Sequence, residues 1–167
     1  MSIVVVTGLG PRTGTSFVMQ QAKNKGIPIT GYKFLPNFTV EKHNINGYWE
    51  TPVYNPSIDN CVVKLWYPTL MCLNPDKVSG VVVLERKDKL AQVASLYKVF
   101  KDECKLNKTL LSLNSPSASL LTFISDTNNW LSTINETKIM RVYTEDLTSS
   151  LDNILSFIER GLTCQYS

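Results

Sequence analysis

The residues best suited to chemistry lie in the run Gly8-Leu-Gly-Pro-Arg-Thr-Gly-Thr-Ser16, which follows an apolar β-branched segment and precedes a helical pattern. A glycine loop between a strand and a helix can cradle a phosphate. Gly10 and Gly14 let the backbone turn tightly and approach an anion. The amides of Gly14, Thr15 and Ser16 point outward from the helix start, where the dipole is positive. Arg12 adds a full charge, and Thr13 and Ser16 add hydroxyls. A triphosphatase loop would read GxxxxGK[ST], with the lysine on the terminal phosphates and the hydroxyl on magnesium; here Thr15 stands in the place of that lysine. An ordinary strand-to-helix turn capped by Thr and Ser remains the plain alternative.

A second anion-binding group follows in Leu84-Glu-Arg-Lys-Asp-Lys-Leu-Ala-Gln-Val-Ala-Ser-Leu-Tyr97. Arg86 falls at the end of a buried strand and Ser95 two turns into the next helix. With Asp88 as N-cap, Ser95 lies on the same helical face about 10 Å along the axis, within reach of an extended Arg86. A guanidinium donates two charge-assisted bonds to a terminal phosphate, and a helix hydroxyl supplies a third donor. The plain alternative is a solvated charge cluster, Arg86 to Lys89, with an incidental serine. Val82-Val-Leu-Glu85 can also be read as a strand ending in a magnesium-binding acid, the best kinase-like feature.

Taken together, these motifs resemble the sulfotransferase family. Pro11-Arg-Thr-Gly-Thr-Ser16 is similar to its 5′-phosphosulfate loop, a Pro-Arg/Lys-Ser/Thr-Gly-Thr-Ser/Thr run, and Arg86-Lys-Asp-Lys89 with Ser95 is similar to the 3′-phosphate motif of bacterial carbohydrate-type members. Arg141-Val-Tyr-Thr-Glu-Asp-Leu147 is similar to a Tyr-Glu-Asp-Leu segment, with Thr144 intervening, and supports the fold rather than the chemistry. The resemblance implies 3′-phosphoadenosine 5′-phosphosulfate as sulfuryl donor, no metal, and a hydroxyl or amine on a small-molecule or carbohydrate acceptor. It places Gly10, Pro11, Arg12, Thr13, Gly14, Thr15 and Ser16 at the 5′ end, and Arg86 and Ser95 at the 3′-phosphate.

Sulfuryl transfer is an in-line displacement in which, as in phosphoryl transfer, the protein chiefly positions groups and stabilises charge on the leaving oxygens. Arg12 and the loop amides suit that task, and the acceptor needs a base. Asn46-Gly-Tyr-Trp-Glu50 resembles a Gly-Tyr/Phe-Phe/Trp-Glu segment of bacterial-type members, which makes Glu50 the first candidate; His43, the only histidine, is the second. An exposed acid and a surface histidine without a role are the plain alternatives. Lys64 interrupts an apolar strand and is expected at the sheet's carboxyl edge, facing either the phosphosulfate or acceptor, or an acid such as Glu50 or Glu85. Trp66 and Tyr67 follow it as pocket-lining candidates.

The elements that must position these groups read as an α/β pattern. Buried β-branched runs at 2–7, 61–65, 80–84 and 138–143 alternate with helical patterns at 15–25, 88–101 and 150–160, and with a further helix within 117–134 whose Ser, Asn and Thr content weakens the pattern. Gly26 and Gly161 are expected to close the first and last helices. The expectation is one domain over 1–167, a three-layer P-loop fold with a mostly parallel central sheet flanked by helices. Residues 30 to 60 read mostly as loop.

A hydrophobic fraction of 43% is that of a globular chain, and a net charge of +3 with scattered Lys and Arg argues against nucleic acid. No stretch approaches membrane-spanning length, and the short apolar start lacks a basic leader, so a cytoplasmic protein is expected. The four cysteines show no metal-ligand spacing and read as buried free thiols. Family members are longer, and no counterpart of their glycine-rich cofactor loop follows Leu162. That leaves adenosine binding weaker, or shared between subunits of a homo-oligomer. A P-loop kinase or hydrolase, and a binding module of the same fold without turnover, stay open.

Overall fold

The computed structural model describes residues 2–10, 13–30, 59–65, 69–106 and 116–163. Among these described residues four strands form one sheet: β1 (Ile3–Gly8), β2 (Cys61–Lys64), β3 (Val78–Glu85) and β4 (Ile139–Tyr143), in the order β2-β1-β3-β4. Every pairing is parallel, with Val6 opposite Lys64, Gly8 opposite Leu84 and Glu85 opposite Tyr143. The apolar runs of β1 and β2 are buried along their whole length because helices cover both faces. In β4, at one edge, only Val142 is buried, between exposed Arg141 and Tyr143, while Ile139 and Met140 are half-buried. At the other edge Ile29 bridges to Val62, so residues 28–30 shield part of β2.

Alternation along the strands divides the core in two. Val4, Val6, Val62, Val82 and Leu84 face α1 (Thr15–Asn24) and α4 (Leu151–Thr163). Ile3, Val5, Val63, Val81 and Val83 face Trp130 and Leu131 of α3 (Pro116–Leu131), against which α2 (Lys89–Leu106) packs. The result is a three-layer α/β architecture, as expected. On the opposite side from α1, the polar stretch near Ser125 does not break α3: Ser125, Asn128 and Asn129 lie on its exposed side, while Thr127, Trp130 and Leu131 are buried. Among the described residues no helix is long and apolar enough to cross a membrane.

Helix ends follow local chemistry in two cases. Asp88 caps α2, its Oδ1 accepting from the amide of Ala91 at 2.8 Å. Gly26 closes α1 in a Schellman turn, with Ile27 N–H donating to the Ala22 carbonyl and Gly26 N–H to that of Lys23. Gly161 departs from expectation, because α4 runs through it to Thr163. There a Cβ would come within 2.7 Å of Val4 Cγ2, so the glycine serves the close seating of α4 on the sheet and not a stop. The cysteines also depart in part. Cys61 is buried, and burial together with Asp59 pushes its thiol up to about 11, but Cys72 is exposed on a 3-10 turn.

Candidate functional site

The order of the strands locates the site. The chain leaves β1 toward β2 on one side and β3 toward β4 on the other, so a crevice opens at the carboxyl ends of β1 and β3, where α/β sheets of this kind take ligands. The glycine loop leaves β1 there, and Arg86 directly follows β3 there. The Leu9 amide donates to the Leu84 carbonyl at 2.9 Å, which holds the first loop residue against β3.

Local geometry explains the glycines. Gly10 and Gly14 both have φ of 88°, in the left-handed region that side chains disfavour. A Cβ on Gly10 would meet Leu120 Cδ1 at 2.2 Å, and one on Gly14 would meet Leu147 Cδ2 at 2.8 Å. Gly14 is also the N-cap of α1 and has no side chain with which to satisfy the first-turn amides. Thr13 is buried and turns its hydroxyl inward, donating to the Gly10 carbonyl at 3.2 Å, so it braces the loop. Thr15 and Ser16 are buried at the helix start. Pro11 and Arg12 lie outside the described residues.

Lys64 ends β2 at the same carboxyl edge. It is only 2% exposed, and its Nζ donates to Ser16 Oγ at 3.0 Å. β2, the neighbour of β1 in the sheet, thus delivers an ammonium to the mouth of the loop from 48 residues beyond Ser16. Glu85, one of the acids expected as its partner, is engaged elsewhere, its carboxylate meeting Arg141 Nη1 at 2.8 Å. The same pairing occupies the acid that a magnesium-binding strand end would use.

The charged run after β3 separates into distinct roles. Lys87 is exposed; its Nζ meets Asp146 at 2.8 Å and lies 4.9 Å from the centre of the Tyr143 ring, and the bond to Asp146 chiefly raises its pKa. Asp88 caps α2. Arg86 is half-buried, with Nε 3.8 Å from Glu145 Oε1, beyond hydrogen-bond length, and that buried Nε has no hydrogen-bond partner. Glu145 itself accepts from the amides of Lys87 at 3.1 Å and Asp88 at 3.4 Å. The Lys87 amide chiefly holds its carboxyl below the usual range, with the Asp88 amide and Arg86 assisting.

Two residues without a role in the sequence motifs tie these parts together. Gln92 is fully buried on α2, and its Nε2 donates to the Leu9 carbonyl at 3.0 Å. It lies between Asp88 and Ser95 at helical spacing, so the half-buried Ser95 sits on the loop-facing side one turn further on. That spacing was the available signal for Gln92. Thr144, in a 3-10 turn after β4, approaches the carbonyls of Thr13 at 2.8 Å and Glu85 at 2.9 Å. Its signal was the extra residue inside the Tyr-Glu-Asp-Leu pattern.

The structure therefore brings Gly10, Thr13, Gly14, Thr15, Ser16, Lys64 and Arg86 to one edge of the sheet, with Ser95 on the adjoining helix face. Glu50, His43, Trp66 and Tyr67 lie outside the described residues. Among the described residues no group of three or more His, Cys, Asp or Glu could hold a metal ion. No family model, curated protein or solved structure significantly matches the chain.

Proposed function

We propose that this chain binds 3′-phosphoadenosine 5′-phosphosulfate at the carboxyl edge of β1 and β3 and transfers its sulfuryl group to a hydroxyl or amine of a small-molecule or carbohydrate acceptor. In this reading the P-loop holds the 5′ end: Gly10, Pro11, Arg12, Thr13, Gly14, Thr15 and Ser16 supply its backbone cradle and donors. Arg86 and Ser95 grip the 3′-phosphate. Glu50, with His43 second, supplies the base for the acceptor.

The observation that carries the proposal is the contact of Lys64 with Ser16. In a magnesium-dependent kinase or hydrolase the hydroxyl two residues after the second loop glycine ligates the metal. Here that hydroxyl belongs to Ser16 and receives an ammonium at 3.0 Å. A divalent ion bound to the same oxygen would face a buried like charge at close range, with little water to screen it. A metal-free donor whose anionic end is met by protein cations suits this arrangement better. The start of α1, which no side chain caps, and Arg86 Nε, which no acceptor meets at hydrogen-bond length, support it, since each offers a donor to an anion.

Calorimetric titration with 3′-phosphoadenosine 5′-phosphate, against ATP with magnesium, tests the reading before any acceptor is known. The expected result is selective binding of the bisphosphate. Preference for magnesium ATP would replace the proposal with a kinase or hydrolase. Bisphosphate binding without transfer to any of a panel of acceptors would leave a nucleotide-binding module.

A further inference from the structure

Thr144 occupies an unusual place between the two halves of the site. It opens the 3-10 turn that follows the edge strand β4, and its side chain reaches inward to the glycine loop and to the end of β3. The hydroxyl lies 2.8 Å from the Thr13 carbonyl and 2.9 Å from the Glu85 carbonyl. It carries one proton, so the two acceptors share a single donor. Thr13 lies within the loop and Glu85 immediately precedes Arg86, so this donor joins the backbone of one phosphate-facing segment to that of the other.

The rest of the turn presses on the same two segments. Leu147 packs against Gly14, where a Cβ would come within 2.8 Å of Leu147 Cδ2 and 3.9 Å of Thr144 Cγ2. Glu145 holds the Lys87 and Asp88 amides just beyond Arg86. The turn thus grips the loop on one side and the β3–α2 connection on the other, and the Thr144 hydroxyl is the contact common to both.

We propose that Thr144 is a positioning residue that sets the spacing between the glycine loop and Arg86, so that one ligand bearing both a 5′ and a 3′ phosphate finds both grips already in place. This rests on the reading of the site given above. A ligand with one phosphate uses one grip and is indifferent to their spacing, whereas a ligand with two gains only if both can be engaged without rearrangement. Removing the hydroxyl takes away the donor that these two carbonyls share and lets the segments drift apart.

The test compares Thr144→Val, which keeps the shape and loses the hydroxyl, with Thr144→Ser, which keeps the hydroxyl. Each is titrated calorimetrically with 3′-phosphoadenosine 5′-phosphate, adenosine 5′-phosphate and adenosine 3′-phosphate. Thr144→Val is expected to lose roughly five- to tenfold in affinity for the bisphosphate, the size of one net hydrogen bond. Each monophosphate is expected to change by less than about twofold, and Thr144→Ser to follow the wild type with all three. Thr144→Ala serves as a second hydroxyl-free variant should the valine protein fail to fold. Equal losses for the three ligands, or an unchanged bisphosphate preference, overturn the positioning role; so does a serine variant that loses the preference. A wild-type protein with no preference for the bisphosphate defeats the reading of the site itself, and the role of Thr144 with it.

Discussion

Burying a lysine as fully as Lys64 costs several kcal/mol unless acceptors meet its ammonium. Ser16 Oγ, at 3.0 Å, is one such acceptor. Arg86 differs in kind. It is half-buried, it stays beyond hydrogen-bond length from Glu145, and Glu145 already has two amide donors of its own. Those two amide bonds do not involve the Arg86 side chain, which makes Arg86→Ala a probe of ligand binding. The substitution is expected to weaken binding of 3′-phosphoadenosine 5′-phosphate about ten- to a hundredfold, the range for a hydrogen bond to a charged group, with adenosine 5′-phosphate within about twofold. Calorimetry with both nucleotides measures the difference. Equal losses would mean that Arg86 shapes the turn and does not grip the 3′-phosphate.

At the scale of elements, the parts legible in the sequence were those whose causes are local. Runs such as Ile3-Val-Val-Val read as doubly covered strands, Asp88 as a cap and Gly26 as a stop, because each depends on neighbours within a turn. The glycine loop was legible for the same reason. Gln92 and Thr144 were not, since their partners lie 83 and 131 residues away and only the assembled sheet brings them together. Gly161 was misread by the same logic: a local stop signal was overridden by a tertiary contact with Val4. That contact can be tested with Gly161→Ala. Alanine gains about 1 kcal/mol of helix propensity, but a Cβ forced to 2.7 Å from a buried valine methyl costs about 1–3 kcal/mol. A net loss of about 1 kcal/mol in urea unfolding is expected. A variant as stable as the wild type would mean that α4 can move off the sheet freely.

For the molecule as a whole, the crevice is only as firm as the edge strand that closes it. Among the described residues β4 pairs with β3 alone, and those joining its carboxyl end to the rest are largely charged: Arg141 with Glu85, Asp146 with Lys87, and Glu145 with the amides of Lys87 and Asp88. These contacts are individually weak, yet they act on one edge, and the pH dependence there is carried by Glu145 and Lys87. The sign follows from the shifts. Glu145 has its carboxyl held below the ordinary value of 4.5 in the folded state, chiefly by the Lys87 amide, so on acidification the unfolded chain takes up the proton first. Its contribution is complete above 4.5 and is lost as pH falls through the depressed folded value. Lys87, raised above 10.5 chiefly by Asp146, contributes fully below that value and loses its contribution only as pH rises through the elevated one. Between these limits the edge is held from both sides. Melting temperatures of the wild type and Glu145→Gln should therefore differ by a constant amount at neutral and mildly acidic pH, with the wild type higher. The two curves should begin to converge as the pH drops below 4.5 and meet once it has passed the depressed folded value, because a protonated Glu145 offers the amides no more than a glutamine does. A gap that persists far below the carboxylate range would show that the glutamine damages packing, and that the charge on Glu145 is not what holds the edge.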